Sequence, residues 1–577
     1  MIPNTTPYLK SVATTLELQR QLASWSPLWL LGGVYVAIVV ALVAFGRGRF
    51  VERTPDGLQR LTGIPGWAAA AVGTTIYGGL VCSVGLNNDV AWHIALGRDK
   101  NLFTAPHTML IVGLLTITGA ALLGIAFATV AKVETGVRIG RLRVPWSMLP
   151  LIALAGASLV GFPLDALWHE RYGIDVTLWS PTHLLMVLGG SFTVPAAWLV
   201  LAEAGVTPKD GRWARGTHLL VAWLTLTSLS GVWTEFSTGV PQFQQLYFPV
   251  LICIGAGLGL VAIRLVLGPW SALGIAAFNL AFIPLHLGGG GGVAARNGAI
   301  FVGSALVVEL VAWRLGTVPR ARFAVVSGLG IGTFGLALEF WWNQGARQPW
   351  HTSLLPAALV LGVIAAVGAS IIGAAFGSAV AREPGMAPRR AAMLVAAALV
   401  LVALVVPFPR RVGNVVATVH LERVGATEDA LVRVRLEPAD AARHARWFQT
   451  MNWQSGRLVL AEMQRVGVGE YVSARSLPVF GTGKTTLRLH RGDQVMAVAL
   501  HLPADPEIGA PEIPAVDRSA PFVNEQAFML REAHPGPVLF SRVVYGLLLL
   551  AAGVCVAAFV IAGRRTRQPS ARYALAP

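Results

Sequence analysis

Runs of about 17 to 25 apolar residues, the length needed to cross the hydrocarbon core of a bilayer, recur along this chain from Pro27 to Phe408 and return once from Phe540 to Ala562. Of 577 residues 54% are hydrophobic and only 13% charged, with a mean hydropathy of +0.62, too apolar for a water-soluble globule of this size. The expected class is a polytopic α-helical membrane protein of about 13 spans, with the lipid bilayer as its first partner. Those spans fall at 27–45, 66–86, 106–131, 147–164, 183–203, 218–234, 247–267, 271–287, 298–315, 323–340, 353–380, 391–408 and 540–562. The first is read as a retained span, because it is long for a signal core and no small-residue cleavage site follows it.

A formal charge of +16 would suit a nucleic-acid binder, but the positive residues sit in short loops between spans. Arg47, Arg49, Arg53 and Arg60 follow the first span; Lys132, Arg138, Arg141 and Arg143 follow the third; Lys209, Arg212 and Arg215 follow the fifth. Arg314, Arg320 and Arg322, then Arg382, Arg389 and Arg390, then Arg564, Arg565 and Arg567 keep the alternation. Nucleic acid is therefore not an expected partner. The positive-inside rule puts these loops in the cytoplasm, with the N-terminus outside and the C-terminus inside. Cys82, Cys253 and Cys555 lie in or beside apolar spans without paired spacing, so neither a disulfide framework nor a thiolate metal site is expected.

Beyond Arg411 the character changes. Val416–Leu421, Leu431–Leu436 and Thr486–His490 alternate apolar and polar residues, which argues half-buried antiparallel strands, and Gly481-Thr-Gly483 and Arg491-Gly-Asp493 supply turns. The division expected is an outer segment 1–26, a membrane domain 27–410 with repeated helical hairpins, an extracytoplasmic all-β sandwich of about seven strands at 411–537, a last span 538–563 and a basic cytoplasmic tail 564–577. Tethered at both ends, the sandwich can cover the outer mouths of the helices. His420, His444, His490 and His501, with Met451 and Met463, show no compact ligand spacing and are read as solvated strand residues.

The strongest functional signal is an internal repeat. Residues 89–107 align without a gap on 165–183, matching Asp89, Trp92, His93, Gly97, Asp99, Leu102 and His107 with Asp165, Trp168, His169, Gly173, Asp175, Leu178 and His183. Apolar sequence drifts into chance similarity, whereas polar and aromatic identities at fixed offsets do not. In each copy an Asp and a His four apart share one face of a helix end, and a second His opens the next span and can fold back toward them. One carboxylate oxygen and two imidazole nitrogens suit Cu(II), Fe(II) or Zn(II) and leave coordination positions open. Singly, such residues are caps, hydrogen-bonded core histidines or interfacial aromatics; the full set occurring twice points to metal. His286, His351, Glu235 and Glu339, at outer helix ends, are further candidate ligands, and Glu309, inside its span, is either a proton carrier or a helix partner.

The first copy resembles the metal-binding motif in the C subunit of particulate methane and ammonia monooxygenases, which runs Asp-x3-His, Arg-Asp, Phe-Thr-Pro and a second His. Asp89, His93, Arg98-Asp99, Phe103-Thr104, Pro106 and His107 follow it in order, with the second His one residue later than in that family. In the second copy Asp165, His169, Asp175, Trp179-Ser180-Pro181 and His183 correspond, with Ile174 in place of the Arg. The resemblance spans about 20 residues per copy and implies a copper site open to monooxygenase chemistry; the expected setting is the plasma membrane of a bacterium, with a small or lipophilic substrate and room for additional membrane subunits as partners. The C-terminal domain with its last span is loosely similar to membrane-anchored exported copper proteins. Iron or zinc at the same ligands, copper trafficking, and a non-catalytic scaffold stand beside this as alternatives.

Overall fold

The computed structural model describes residues 33, 50–97, 103–173, 179–239, 243–286, 299–346, 348–384, 412–456 and 458–566. Its helices are α1 (Phe50–Thr62), α2 (Gly66–Ala95), α3 (Ala105–Val130), α4 (Met148–Tyr172), α5 (Pro181–Glu203), α6 (Arg212–Leu229), α7 (Tyr247–Leu267), α8 (Ser271–His286), α9 (Val302–Leu315), α10 (Arg320–Gly330), α11 (Leu355–Val380) and α12 (Val538–Arg565), with shorter helical turns between. A π-turn, Ile331–Gly335, carries α10 on to Asn343. Nine helices among the described residues are long and apolar enough to cross a membrane. α8 and α9, with 16 and 14 residues, are shorter than the spans expected there. The expected span 391–408, and all but one residue of 27–45, lie outside the described residues.

Helices α2 to α5 form a closed four-helix bundle, each packing against the next and α5 returning to α2. Buried carboxylates tie neighbouring helices together end to middle. Glu203, at the end of α5, accepts hydrogen bonds from the amides of Trp146 and Ser147 at the start of α4, at 2.8 and 2.7 Å. Glu309 in α9 accepts from Trp270 and Ala272 at the start of α8 and pairs with Arg264 of α7 at 2.8 Å. Glu339 accepts from Ile300 and Phe301 at the start of α9. Each negative charge meets the unsatisfied N–H groups and positive dipole end of a helix, which offsets the cost of placing it among apolar residues.

The C-terminal domain holds β3 (Val416–Arg423), β4 (Ala430–Glu437), β5 (Trp447–Trp453), β6 (Val459–Gly467), β7 (Glu470–Ser473), β8 (Lys484–Arg491), β9 (Gln494–His501), β10 (Arg518–Pro521) and β11 (Val523–Asn524); β1 (Val137–Ile139) and β2 (Leu142–Val144) form a separate hairpin between α3 and α4. Where the sequence predicts a sandwich of about seven strands, the structure has one nine-stranded antiparallel sheet in the order β10-β3-β4-β7-β6-β5-β8-β9-β11. Only Phe522 separates β10 from β11, so one short segment pairs with β3 on one side and β9 on the other and nearly closes the sheet. The Phe522 amide donates to Val415 at 2.8 Å while its ring is buried in the domain core, leaving little open edge.

β3 and β4 alternate buried and exposed residues, as a strand with one wet face does, but β5 is buried along its whole length and β8 and β9 nearly so. Phe448, Leu487, Leu489 and Val498 fill the domain core; the opposite face packs on the helices, where Met451 and Trp453 meet Ile94 of α2. The expectation that His490 and His501 are solvated is overturned: they are 0% and 8% exposed, because the polar face of β8 and β9 meets the rest of the protein instead of water. His420 and His444 are exposed as expected. His490 Nδ1 donates to the Gln494 carbonyl at 2.8 Å and Nε2 accepts from the Gln245 amide, ahead of α7, at 3.1 Å. Arg488 beside it is fully buried in an ion pair with Glu525.

Two predictions follow from this packing. Glu309→Ala leaves the partly buried Arg264 charge without its carboxylate and orphans two amides, so thermal unfolding in detergent should register a loss of about 2–4 kcal/mol. Burial, reinforced by Arg446 and Arg488, pushes the His490 imidazole down to about 3 from its ordinary 6.5. The unfolded chain takes up that proton first, so the contribution of His490 is complete above about pH 6.5 and is lost as pH falls toward 3. A His490→Gln variant should flatten this acid limb in unfolding curves recorded against pH; an unchanged limb would count against the assignment.

Candidate metal centre

The repeat seen in the sequence is a repeat in structure. Asp89 and His93 stand in the last turns of α2, Asp165 and His169 in those of α4, and the next helix begins 16 residues after each Asp, at Ala105 and at Pro181. Pro106 and Pro181 in the first turn, where a missing N–H costs nothing, favour restarting the helix there. His107 and His183 therefore face back across the turn, and both centres lie at one end of the four-helix bundle.

In the first centre the Nε2 atoms of His93 and His107 lie 3.6 and 3.3 Å from Asp89 Oδ1. In the second, those of His169 and His183 lie 3.1 and 3.4 Å from Asp165 Oδ2. Ligands about 2.0–2.1 Å from one tetrahedral ion stand about 3.3–3.4 Å apart, so both triads have the dimensions of a shared coordination sphere. They are the groups among the described residues with three such atoms within 4.8 Å of one another.

The other ring nitrogen sharpens the case. His93 Nδ1 lies 3.0 Å from the Gly97 carbonyl and His169 Nδ1 lies 3.2 Å from the Gly173 carbonyl. A carbonyl only accepts, so these nitrogens carry the proton and donate. Nε2 is then the nitrogen turned to the carboxylate, where it can donate, as in the 3.1 Å contact of His169 with Asp165 Oδ2, or in the neutral ring offer a lone pair to a cation. The carbonyl fixes the ring orientation in the way that metal-ligating histidines require. Gly97 and Gly173 have φ of +96° and +81°, a turn open to glycine, which explains their identity in both copies.

One difference between the copies touches the carboxylate. The Thr182 hydroxyl donates to Asp165 Oδ1 at 2.6 Å, holding the carboxylate so that Oδ2 meets the imidazoles; the matching residue in the first copy is Pro106. Nothing in the sequence comparison singled out Thr182, since it is not shared. Asp99 and Asp175 lie outside the described residues.

The additional ligand candidates do not join either triad. Glu309 and Glu339 are held by helix-start amides, which makes Glu309 a helix partner. His351 caps a short turn, its Nδ1 accepting from the Ser353 amide at 3.1 Å. Glu235 is buried after α6 but outside both groups, and the side chain of His286, at the end of α8, lies outside the described residues.

Comparison with protein-family models, with curated proteins and with solved structures gave no match. The geometry of the triads is thus the ground for any functional reading. Thr182→Val, which removes the hydroxyl at nearly constant volume, should weaken metal binding at the second centre by about tenfold or more and leave the first unchanged, as chelator competition would measure.

Proposed function

We propose that the chain is a membrane metalloprotein whose two Asp/His/His centres bind copper near the outer face and support oxidase- or monooxygenase-type chemistry on a small or lipophilic substrate. The single observation that carries the reading is the pair of matched triads, each with one carboxylate oxygen facing two Nε2 atoms and one imidazole anchored through Nδ1. Imidazole and carboxylate donors favour Cu(II) over the other divalent metals by the general affinity order, with iron and zinc at the same ligands as the competing occupants. The motif resemblance to particulate monooxygenases points the same way. Bound copper would supply one-electron chemistry with oxygen; zinc would instead activate water. The protein's own part is to hold two imidazoles and a carboxylate in place and leave a face of the ion open.

The location proposed is the bacterial plasma membrane. The loop after α3, with Lys132, Arg138, Arg141 and Arg143, lies at the opposite end of the bundle from the triads, and the β-domain docks at the triad end. The positive-inside rule then puts both centres and the β-domain outside. The ligands of both triads gather at one end, which disfavours a conduction path for metal. α12 buries only 11% of its apolar window against the rest of the chain, which suits lipid or a further membrane subunit.

Metal analysis of the purified protein, with electron paramagnetic resonance to separate copper from iron and zinc, tests the reading. Two copper ions per chain, both lost in the His93→Ala, His169→Ala double variant, are expected. A metal content unchanged by that double substitution would sink it.

A further inference from the structure

We infer that the soluble domain is a positioning element for both metal centres: it clasps the two helix ends whose glycine carbonyls orient the ligand histidines. The inference rests on the metal reading above and adds a role for residues far away in sequence. The last carbonyls of a helix have no partner within it. At the end of α2, the Ile94 and Ala95 carbonyls accept from the amides of Gln454 and Gly456, at 2.9 and 3.0 Å, in the loop between β5 and β6. That loop takes φ of +61° at Gln454 and +75° at Gly456 to present both amides, and a methyl group added to Gly97 would stand 3.2 Å from the Gln454 carboxamide carbon. The loop is therefore seated against the residue whose carbonyl receives His93 Nδ1.

At the end of α4 the same service comes from a different segment. The Tyr172 carbonyl accepts from the His534 amide at 2.9 Å, and a methyl group on Gly173 would collide with the backbone of Glu532 in the strap leading to α12. Gly536 of that strap packs as closely on Arg171. The β5–β6 loop and the strap share no sequence and cap different carbonyls, those of Ile94 and Ala95 in one repeat and of Tyr172, the counterpart of Leu96, in the other, yet both are seated against the matched glycines Gly97 and Gly173. Duplication explains the matching of the helices; it does not explain two unrelated segments clasping them alike. Restraining the carbonyl that holds each histidine does. By linkage, a metal that favours the ordered histidine favours the docked domain by the same factor.

The full-length chain in detergent tests this with Cu(II) and Zn(II) as probes. His169→Ala leaves a chain with the first centre alone, and His93→Ala one with the second alone. Into each we would place Gly97→Ala or Gly173→Ala. Gly97→Ala should weaken metal binding about tenfold or more, with an altered copper signal in electron paramagnetic resonance, only where the first centre remains, and Gly173→Ala only where the second does. In the unsubstituted chain, metal should slow hydrogen exchange at the amides of Gln454, Gly456 and His534. Equal loss in both backgrounds, unchanged affinity in the matching one, or exchange indifferent to metal overturns the inference while leaving the centres standing. An unsubstituted chain that binds no metal overturns both.

Discussion

A carboxylate largely withdrawn from water at the end of an apolar helix bundle must be compensated where it stands, and the arrangement around half-buried Asp89 and buried Asp165 follows from that demand. Leaving an ionised group unpaired there costs several kcal/mol. Elsewhere in the chain the same demand is met by helix-start amides, as at Glu203, Glu309 and Glu339. At the two triads the facing groups are imidazoles, and in each triad one of them, His93 or His169, is turned by a glycine carbonyl at its Nδ1 so that Nε2 meets the carboxylate. This difference separates the carboxylates that fasten helices from those that face a pair of imidazoles.

Much of the triad geometry was legible in the sequence because its signal lies in residues that apolar helices otherwise avoid. Asp89, His93 and His107 and their counterparts stand out against Leu, Val and Ala, and a gapless alignment with a shared Gly fixes where each helix stops. In the structure the six side chains stand as two groups whose atoms lie within 4.8 Å of one another. Thr182 escaped notice because the repeat does not conserve it, although a hydroxyl one residue before a ligand histidine is a local signal that could have been weighed. Glu309 was ambiguous for a different reason: the amides it receives belong to a helix start nearly 40 residues away, and periodicity carries no information about which neighbour a buried acid meets.

The β-domain shows the limit more sharply. Alternation in Thr486–His490 announces a strand with two unlike faces, but it does not say what medium the polar face meets. Here that face meets helices and loops, so Arg488 and His490 are fully buried and strand residues read as wet are interior. Closure of the sheet was equally hidden. It depends on Arg518–Asn524 pairing with strands at both edges, and a segment of four residues, one residue and two residues carries too little pattern to announce two ladders.

Why the centres stand where helices stop can be argued from spacing alone. Asp89, His93 and Gly97, like Asp165, His169 and Gly173, recur every four residues, so they fall along one helix face. Within a continuing helix the carbonyl four residues after a histidine would be committed to the next turn, and no second histidine could fold back. Ending the helix with a glycine at positive φ frees that carbonyl for Nδ1 and reverses the chain, so the following helix delivers the other imidazole. One termination thus supplies the orienting acceptor and the third ligand together. The freed carbonyls beside it still need donors, and that need gives the soluble domain a physical reason to dock on this end of the bundle.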